Sequence, residues 1–380
     1  FFPTISGGWR ISEESFFRKR DFLNFITNLK LRASYGEMGD DNVGIGNFDY
    51  MSGYNYQTNS ALIAEDPFGS NSASTVQTAI LRGLPVTNVS WIHVTMRNVG
   101  LDLGVLNNKL NFEANGFYRK RTGLTTTRAD ITIPLETGYS MPLENLNSDM
   151  WIGSDGSIKW NSNIGKVNYY IGVNTTFSRK KDGSTYGQKF SDSWNKYRTS
   201  TNNRWSYINW GYQVIGRFQT QEEIDNYPVI MCLSNGSDRN MKVLPGDPIY
   251  KDQNGDGIIN DYDSRPIGYA EGGLPYLTYG INMGVMWKEL DFSIDFAGAS
   301  FQSFQQNYET KWPFQASGNT FEFMVNDRWH HSDPLDPSSP WVAGYYPALR
   351  LTPTDSWNVY CNNSEYWLTN VRYLRLRNME

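Results

Sequence analysis

Alternation with a period of two constrains this chain more than any other feature. LTYGINMGVMW sets Leu277, Tyr279, Ile281, Met283, Val285 and Trp287 on one side, and Thr278, Gly280, Asn282, Gly284 and Met286 on the other. KVNYYIGVNTTF opposes Val167, Tyr169, Ile171, Val173 and Phe177 to Asn168, Tyr170, Gly172, Asn174 and Thr176. LKLRASY and DFSIDF repeat the pattern. Successive side chains of a strand point to opposite faces, so these runs predict strands with one apolar and one polar face. The strands fall at about 3–12, 29–38, 93–106, 109–124, 150–161, 166–179, 275–287, 290–303 and 365–380. In YWLTNVRYLRLRN the parity shifts between Trp367–Val371 and Leu374–Leu376, which predicts a bulge.

The connections alternate in length. Short ones occupy 107–108, 162–165 and 288–289, with 13–28 somewhat longer; long ones occupy 39–92, 125–149, 180–274 and 304–364. If neighbours are antiparallel, the short turns gather at one end of the strands and the long loops at the other. That sorting predicts an all-β fold, a transmembrane antiparallel β-barrel with short periplasmic turns and long extracellular loops. Its polar lumen would take Arg32, Asp102, Glu113, Asp291, Asp295, Arg375 and Arg377, which are costly in a dry core unless paired. Trp9, Trp91, Trp160, Trp287 and Trp367, near strand ends, suit interfacial girdles, although packing accounts for any one of them. One short helix is expected at 220–227, where TQEEIDNY offers a Thr cap and acidic residues in its first turn.

Composition supports strands with one wet face. Hydrophobic residues are only 39%, while aromatics reach 15%. The net charge of -5 argues against nucleic acid as the main partner. Three His and two distant Cys make a zinc site a poor fit, and Cys232 and Cys361 read as free or incidental, the alternative being a disulfide, which requires an oxidising compartment. The apolar runs are too short for a transmembrane helix. The chain opens and closes within strand patterns, so a fragment of a longer protein is expected.

The sharpest local motif is DQNGDGIINDYD. Asp252, Asn254, Asp256 and Asp263 offer side-chain oxygens at calcium-loop positions, Ile258 offers its carbonyl, and Gly257 permits the turn. Asp263 is shorter than the Glu usual at the last position. Amphipathic helices do not flank the loop, so a sensor is a poor reading. A structural Ca2+ clip fixing the longest loop is expected; without metal the carboxylates of Asp252, Asp256, Asp261, Asp263 and nearby Asp247 would repel one another. The alternative is an Asx-rich turn without metal. His330–His331 beside Asp333 lacks a nucleophile or metal set, and an enzyme is not expected. Trp194, Trp205, Trp210, Trp312, Trp329, Trp341 and Trp357 fall in long loops, either to meet a ligand or to stabilise the loops.

Several segments together resemble the SusC/RagA-type TonB-dependent outer-membrane transporters of Bacteroidota. They are FFPTISGGWRISEESFF, LKLRASYGEMGDDNVG, RNVGLDLGVLNNKLNFEANGFYRKRTGL, GYQVIGRFQTQEEID, PGDPIYKDQNGDGIINDYDSRPIG, LPYLTYGINMGVMWKELDFSIDFAGA and YWLTNVRYLRLRNME. ENLNSDMWIGSDGSIKW departs from the family pattern. The resemblance implies that residues 1–380 are the C-terminal portion of such a receptor, about nine strands of a 22-stranded barrel. It also implies active import of a glycan or peptide, a SusD-like surface lipoprotein as lid, and the TonB–ExbB–ExbD motor. The further implied partners are outer-membrane lipid, an oligosaccharide or oligopeptide ligand, and a dimer of SusC–SusD pairs. The implied location is the cell outer membrane, multi-pass. The competing reading is a calcium-stapled surface all-β adhesion or glycan-binding module.

Overall fold

The computed structural model describes residues 2–20, 23–62, 75–231, 243–351 and 362–380. Cys232, Cys361 and Trp357 lie outside them. The strands are β1 (Thr4–Arg10), β2 (Ile26–Asp40), β3 (Tyr54–Leu62), β4 (Thr75–Leu81), β5 (Ile92–Val105), β6 (Leu110–Thr127), β7 (Leu143–Ile164), β8 (Val167–Asp182), β9 (Trp210–Gly211), β10 (Val214–Arg217), β11 (Pro248–Tyr250), β12 (Arg265–Pro266), β13 (Leu277–Trp287), β14 (Leu290–Gln305), β15 (His330–His331), β16 (Trp341–Val342) and β17 (Leu368–Met379). The chain divides into two compact units, Phe1–Ser206 and Tyr207–Glu380.

In the first unit β1, β2, β5, β6, β7 and β8 lie side by side, each antiparallel to the next. Their turns are tight because the sequence supplies residues that tolerate a left-handed backbone. Asn107 and Asn108 take φ of 56° and 60° between β5 and β6, and Gly165 takes 61° between β7 and β8. The departure segment noted above is the regular strand β7. The first long loop carries the hairpin β3–β4. Register places the apolar members of the alternation on one face, where Ile5 and Val99 are 71% and 65% exposed. The polar members share the other face.

The second unit contains β13, β14 and β17, again antiparallel. The expected bulge is present: the β14–β17 register slips between Ala299 and Gln302, opposite Tyr373 and Val371. The long segment between β8 and β13 carries the unit's own core. Phe218, Ile224, Met231, Val243, Ile249, Tyr250 and Ile259 are buried together. The expected helix forms over Gln221–Asp225, with Thr220 accepting from the Glu223 N–H as N-cap. Trp367 corrects the girdle reading for that residue. A 3-10 turn over Glu365–Trp367 swings it inward against Met324, leaving it 1% exposed.

The nine long strands appear where alternation places them, but the transmembrane barrel is corrected. A barrel abolishes edges by pairing its first strand with its last. Here every sheet of the described residues is open; β1 has only β2 as neighbour and β17 only β14. The described residues therefore form no closed barrel, and import through this chain as a transporter barrel is overturned. A multi-pass outer-membrane location falls with it, because a spanning sheet must satisfy its edge N–H and C=O groups by closure. No helix among the described residues is long and apolar enough to cross a membrane, which bears on helices alone.

Candidate functional site

The polar face of the first unit is organised by cross-strand ion pairs. Arg121 on β6 stands opposite Asp149 on β7, which stands opposite Asp182 on β8. Arg121 donates Nε and Nη2 to the two oxygens of Asp149, with Nε at 2.8 Å. Lys180 Nζ lies 3.4 Å from Asp149 and 3.7 Å from Asp182. The Asp149 side chain is only 3% exposed, and burial of a carboxylate demands this compensation. Two cations and two anions thus neutralise one another.

These four residues line a cleft with Asn42, Asn147, Ser148, Thr185 and Thr201, over an apolar patch of Val43, Ile92 and Leu124. Its hydroxyls are held in place. Thr185 and Thr201 share a hydrogen bond of 2.9 Å, and Gln188 donates to Thr201. Ser148 pairs with Ser184 and accepts the Ser184 N–H. The cleft offers neutral hydrogen-bonding groups on a rigid strand platform, with its charges already paired.

A second ladder crosses the same face. Arg32 donates to Asp102 and to Asn115, and Asn115 donates to Asp155 at 2.8 Å. Gly100 makes room for it: a Cβ there would lie 2.5 Å from Asn115 Oδ1. Arg32 and Asp102, which alternation assigned to a lumen, satisfy each other across β2 and β5. The sequence reading missed Arg121, Asn115 and Asp149. The signal was present for the first two, since both sit at polar parity in a predicted strand. Nothing local names their partners.

In the second unit the metal-loop residues stay close in sequence but turn onto the loop's own backbone. Asp252 accepts the N–H groups of Gly255 and Gly257, and these bonds hold its carboxyl below the usual carboxylate range. Asn254 donates to Asp256, which accepts the Ile258 N–H. Asp263 is fully buried; its two oxygens accept from Gln253 and Asn260, each at 2.8 Å. Ile258 forms an isolated bridge with Ile230, and Ile259 enters the core. The donors are the hard oxygens calcium prefers. Among the described residues, no three His, Cys, Asp or Glu side chains gather as a metal-holding group.

Asp247 belongs to a different cluster from the loop's carboxylates. It is 0% exposed and ion-paired with Arg350. Burial pushes its carboxyl up, against the pull of Arg350. His331 packs on Trp341 at 4.1 Å and contacts the Ser339 carbonyl, while His330 contacts the His331 carbonyl. Trp205 lies against Arg179 and Lys181, at 4.3 and 5.8 Å.

No protein-family model matches the chain. It is 27% identical over 342 residues to the TonB-dependent receptor P26 of Formosa agariphila, covering 88% of this chain and 31% of that protein. It is 25% identical over 298 residues to the TonB-dependent receptor SusC of Bacteroides thetaiotaomicron, covering 77% of this chain and 26% of the relative. The chain thus spans less than a third of the curated relatives it matches. Among solved structures, the RagAB peptide transporter superposes on all of this chain and 36% of its own, with TM-score 0.62 and 17% identity. The RagAB peptide importer in its closed-closed state gives TM-score 0.63 at 17% identity, again over 100% and 36%. At that identity the superposition speaks for the fold. The chain is a remote homologue of the SusC/RagA family of TonB-dependent receptors, a family of receptors and transporters rather than of enzymes.

Proposed function

We propose that this chain is a non-catalytic all-β binding module that takes an oligomeric, uncharged polar ligand, a glycan, in the cleft of its first unit. One observation carries the reading. The charges of Arg121, Asp149, Lys180 and Asp182 are consumed by one another, which leaves hydroxyl and amide groups to meet a ligand. A site of that kind suits sugar hydroxyls better than a charged peptide terminus. Titration calorimetry with neutral oligosaccharides and with oligopeptides tests it. Binding of a glycan is expected, weakened about fivefold by Thr201→Ala through loss of a hydrogen bond worth about 1 kcal/mol. If no neutral glycan binds while peptides do, the reading fails.

Calcium is a second element of the proposal. Asp252, Asn254, Asp256 and Asp263, with the carbonyl of Ile258, would hold a Ca2+ ion as a staple on the loop. The support is the oxygen donor set and its spacing. Chelation is expected to speed amide exchange near 245–270 and leave β13 and β14 unchanged; identical exchange with and without chelator sinks the calcium assignment. Remote homology also supports a finer reading, in which the chain is the C-terminal portion of a receptor working with a TonB-type system and a SusD-like lipoprotein. Co-purification of the tagged chain with either partner tests that association.

A further inference from the structure

An asparagine followed by glycine is open to attack from its own backbone. The nitrogen of the following residue can close on the side-chain amide carbon, and glycine, having no Cβ, leaves that approach clear. The described residues contain two such pairs, Asn115–Gly116 and Asn254–Gly255. The fold treats them differently. Asn115 lies in β6, paired with Gly100 of β5 on one side and Asp155 of β7 on the other. Its side-chain amide accepts from Arg32 on β2 at 3.1 Å and donates to Asp155 at 2.8 Å. Ring closure there must turn a peptide unit out of a ladder held from both sides. Asn254 sits in an exposed turn, with Gly255 at φ of +77°. The bonds that hold this turn are local. Asn254 Oδ1 accepts the Asp256 N–H at 3.1 Å, its Nδ2 donates to Asp256 at 2.9 Å, and the Gly255 N–H donates to Asp252 at 2.6 Å. The bond from Asp256 folds the amide back over the peptide unit that must attack it.

Exposed local bonds open at low free energy, whereas those of a central strand open near the global cost. We propose that Asn254 is a site of spontaneous deamidation in the folded protein, and that Asn115 is shielded from it by the sheet. The Gly255 nitrogen loses its proton to solvent and bonds to the side-chain carbon of Asn254. The bond from that carbon to Nδ2 breaks, and ammonia leaves with a proton taken back from solvent. Water then opens the cyclic imide at either carbonyl, giving aspartate or isoaspartate, with no change of oxidation state. Either product sets a carboxylate against Asp256 where an N–H donor stood, and isoaspartate also lengthens the backbone by a methylene. The conversion stands apart from the glycan and calcium readings.

Peptide mass spectrometry tests the proposal on the whole chain, incubated at neutral pH in chelator so that no cation competes for the same oxygens. One sample is kept folded and its parallel is held in urea. Incubation in heavy-oxygen water, followed by digestion in ordinary water, gives each conversion three extra mass units and so dates it to the incubation. In the folded chain Asn254 is expected to convert about tenfold or more faster than Asn115, because only the turn opens locally. In urea the two Asn-Gly pairs are expected to convert at similar rates. A folded-state ratio no greater than the ratio in urea overturns the proposal. Asn254→Gln, which lengthens the side chain and disfavours the five-membered ring, should remove the signal; its persistence in that peptide would place the modification elsewhere and sink the assignment.

Discussion

Asp263 gives the most searching perturbation. Its side chain is fully buried, and both oxygens are spent on backbone N–H groups of the same loop, those of Gln253 and Asn260. Asp263→Ala removes two charge-assisted hydrogen bonds and leaves two partly buried donors unmet. Such bonds are worth about 1.5–3 kcal/mol when fully buried, and an unmet buried donor costs about 1–3 kcal/mol. Partial burial of both amides lowers the sum to about 2–4 kcal/mol, or about 5–15 °C in Tm for a domain of this size. The assay is thermal unfolding followed by near-UV circular dichroism, paired with amide exchange read at Gln253 and Asn260. Asp263→Asn keeps one acceptor oxygen and should fall between the wild type and Ala. Run in calcium and in chelator, the pair of variants also separates the hydrogen-bonding role from a metal-binding one. The hydrogen-bonding cost persists in chelator, whereas a metal contribution disappears. A loss below about 0.5 kcal/mol in both conditions, with unchanged exchange at the two amides, would refute the account, because that is the range of ordinary surface substitutions.

Three further outcomes are expected. Gly246→Ala should cost about 1–3 kcal/mol or more, because its Cβ would overlap the Trp329 ring and a φ of +93° disfavours a side chain; denaturant unfolding of the variant checks this. Arg121→Ala leaves Asp149 with Lys180 alone, and should destabilise by about 2–3 kcal/mol, less than the 3–5 of a fully buried pair losing one partner; equilibrium urea unfolding measures it. For pH, the bonds from Gly257 and Gly255 lower the Asp252 pKa on folding. Its contribution is therefore fully present above the unfolded value of about 4 and is lost as pH falls through the folded value. Asp252→Asn should flatten the acid limb of loop stability below pH about 4, read by amide exchange at Gly255 and Gly257; an unchanged limb would show that this carboxylate is not the titrating group.

Strand positions and faces, the bulge near Val371 and the capped helix after Thr220 were all readable from the chain. Each is a local signal, in which period, turn residue and cap act within a few positions. Loop lengths were equally visible, and so was the spacing of the calcium-type loop. Closure was not. Alternation says which face a residue takes, and it is silent on whether the outermost strands find each other; the tertiary structure leaves β1 and β17 as edges. The partners of the polar residues were also beyond reach. Arg121 and Asp149 lie 28 residues apart and meet only because β6 and β7 adopt one register. DQNGDGIINDYD shows the same division. Its sequence set out the oxygens and the turn glycine, but only the fold turned Asp263 inward and drove Ile259 into a core shared with Phe218 and Tyr250. Backbone preference is decided by neighbours along the chain, whereas burial and charge pairing are decided by contacts that exist once distant segments have packed.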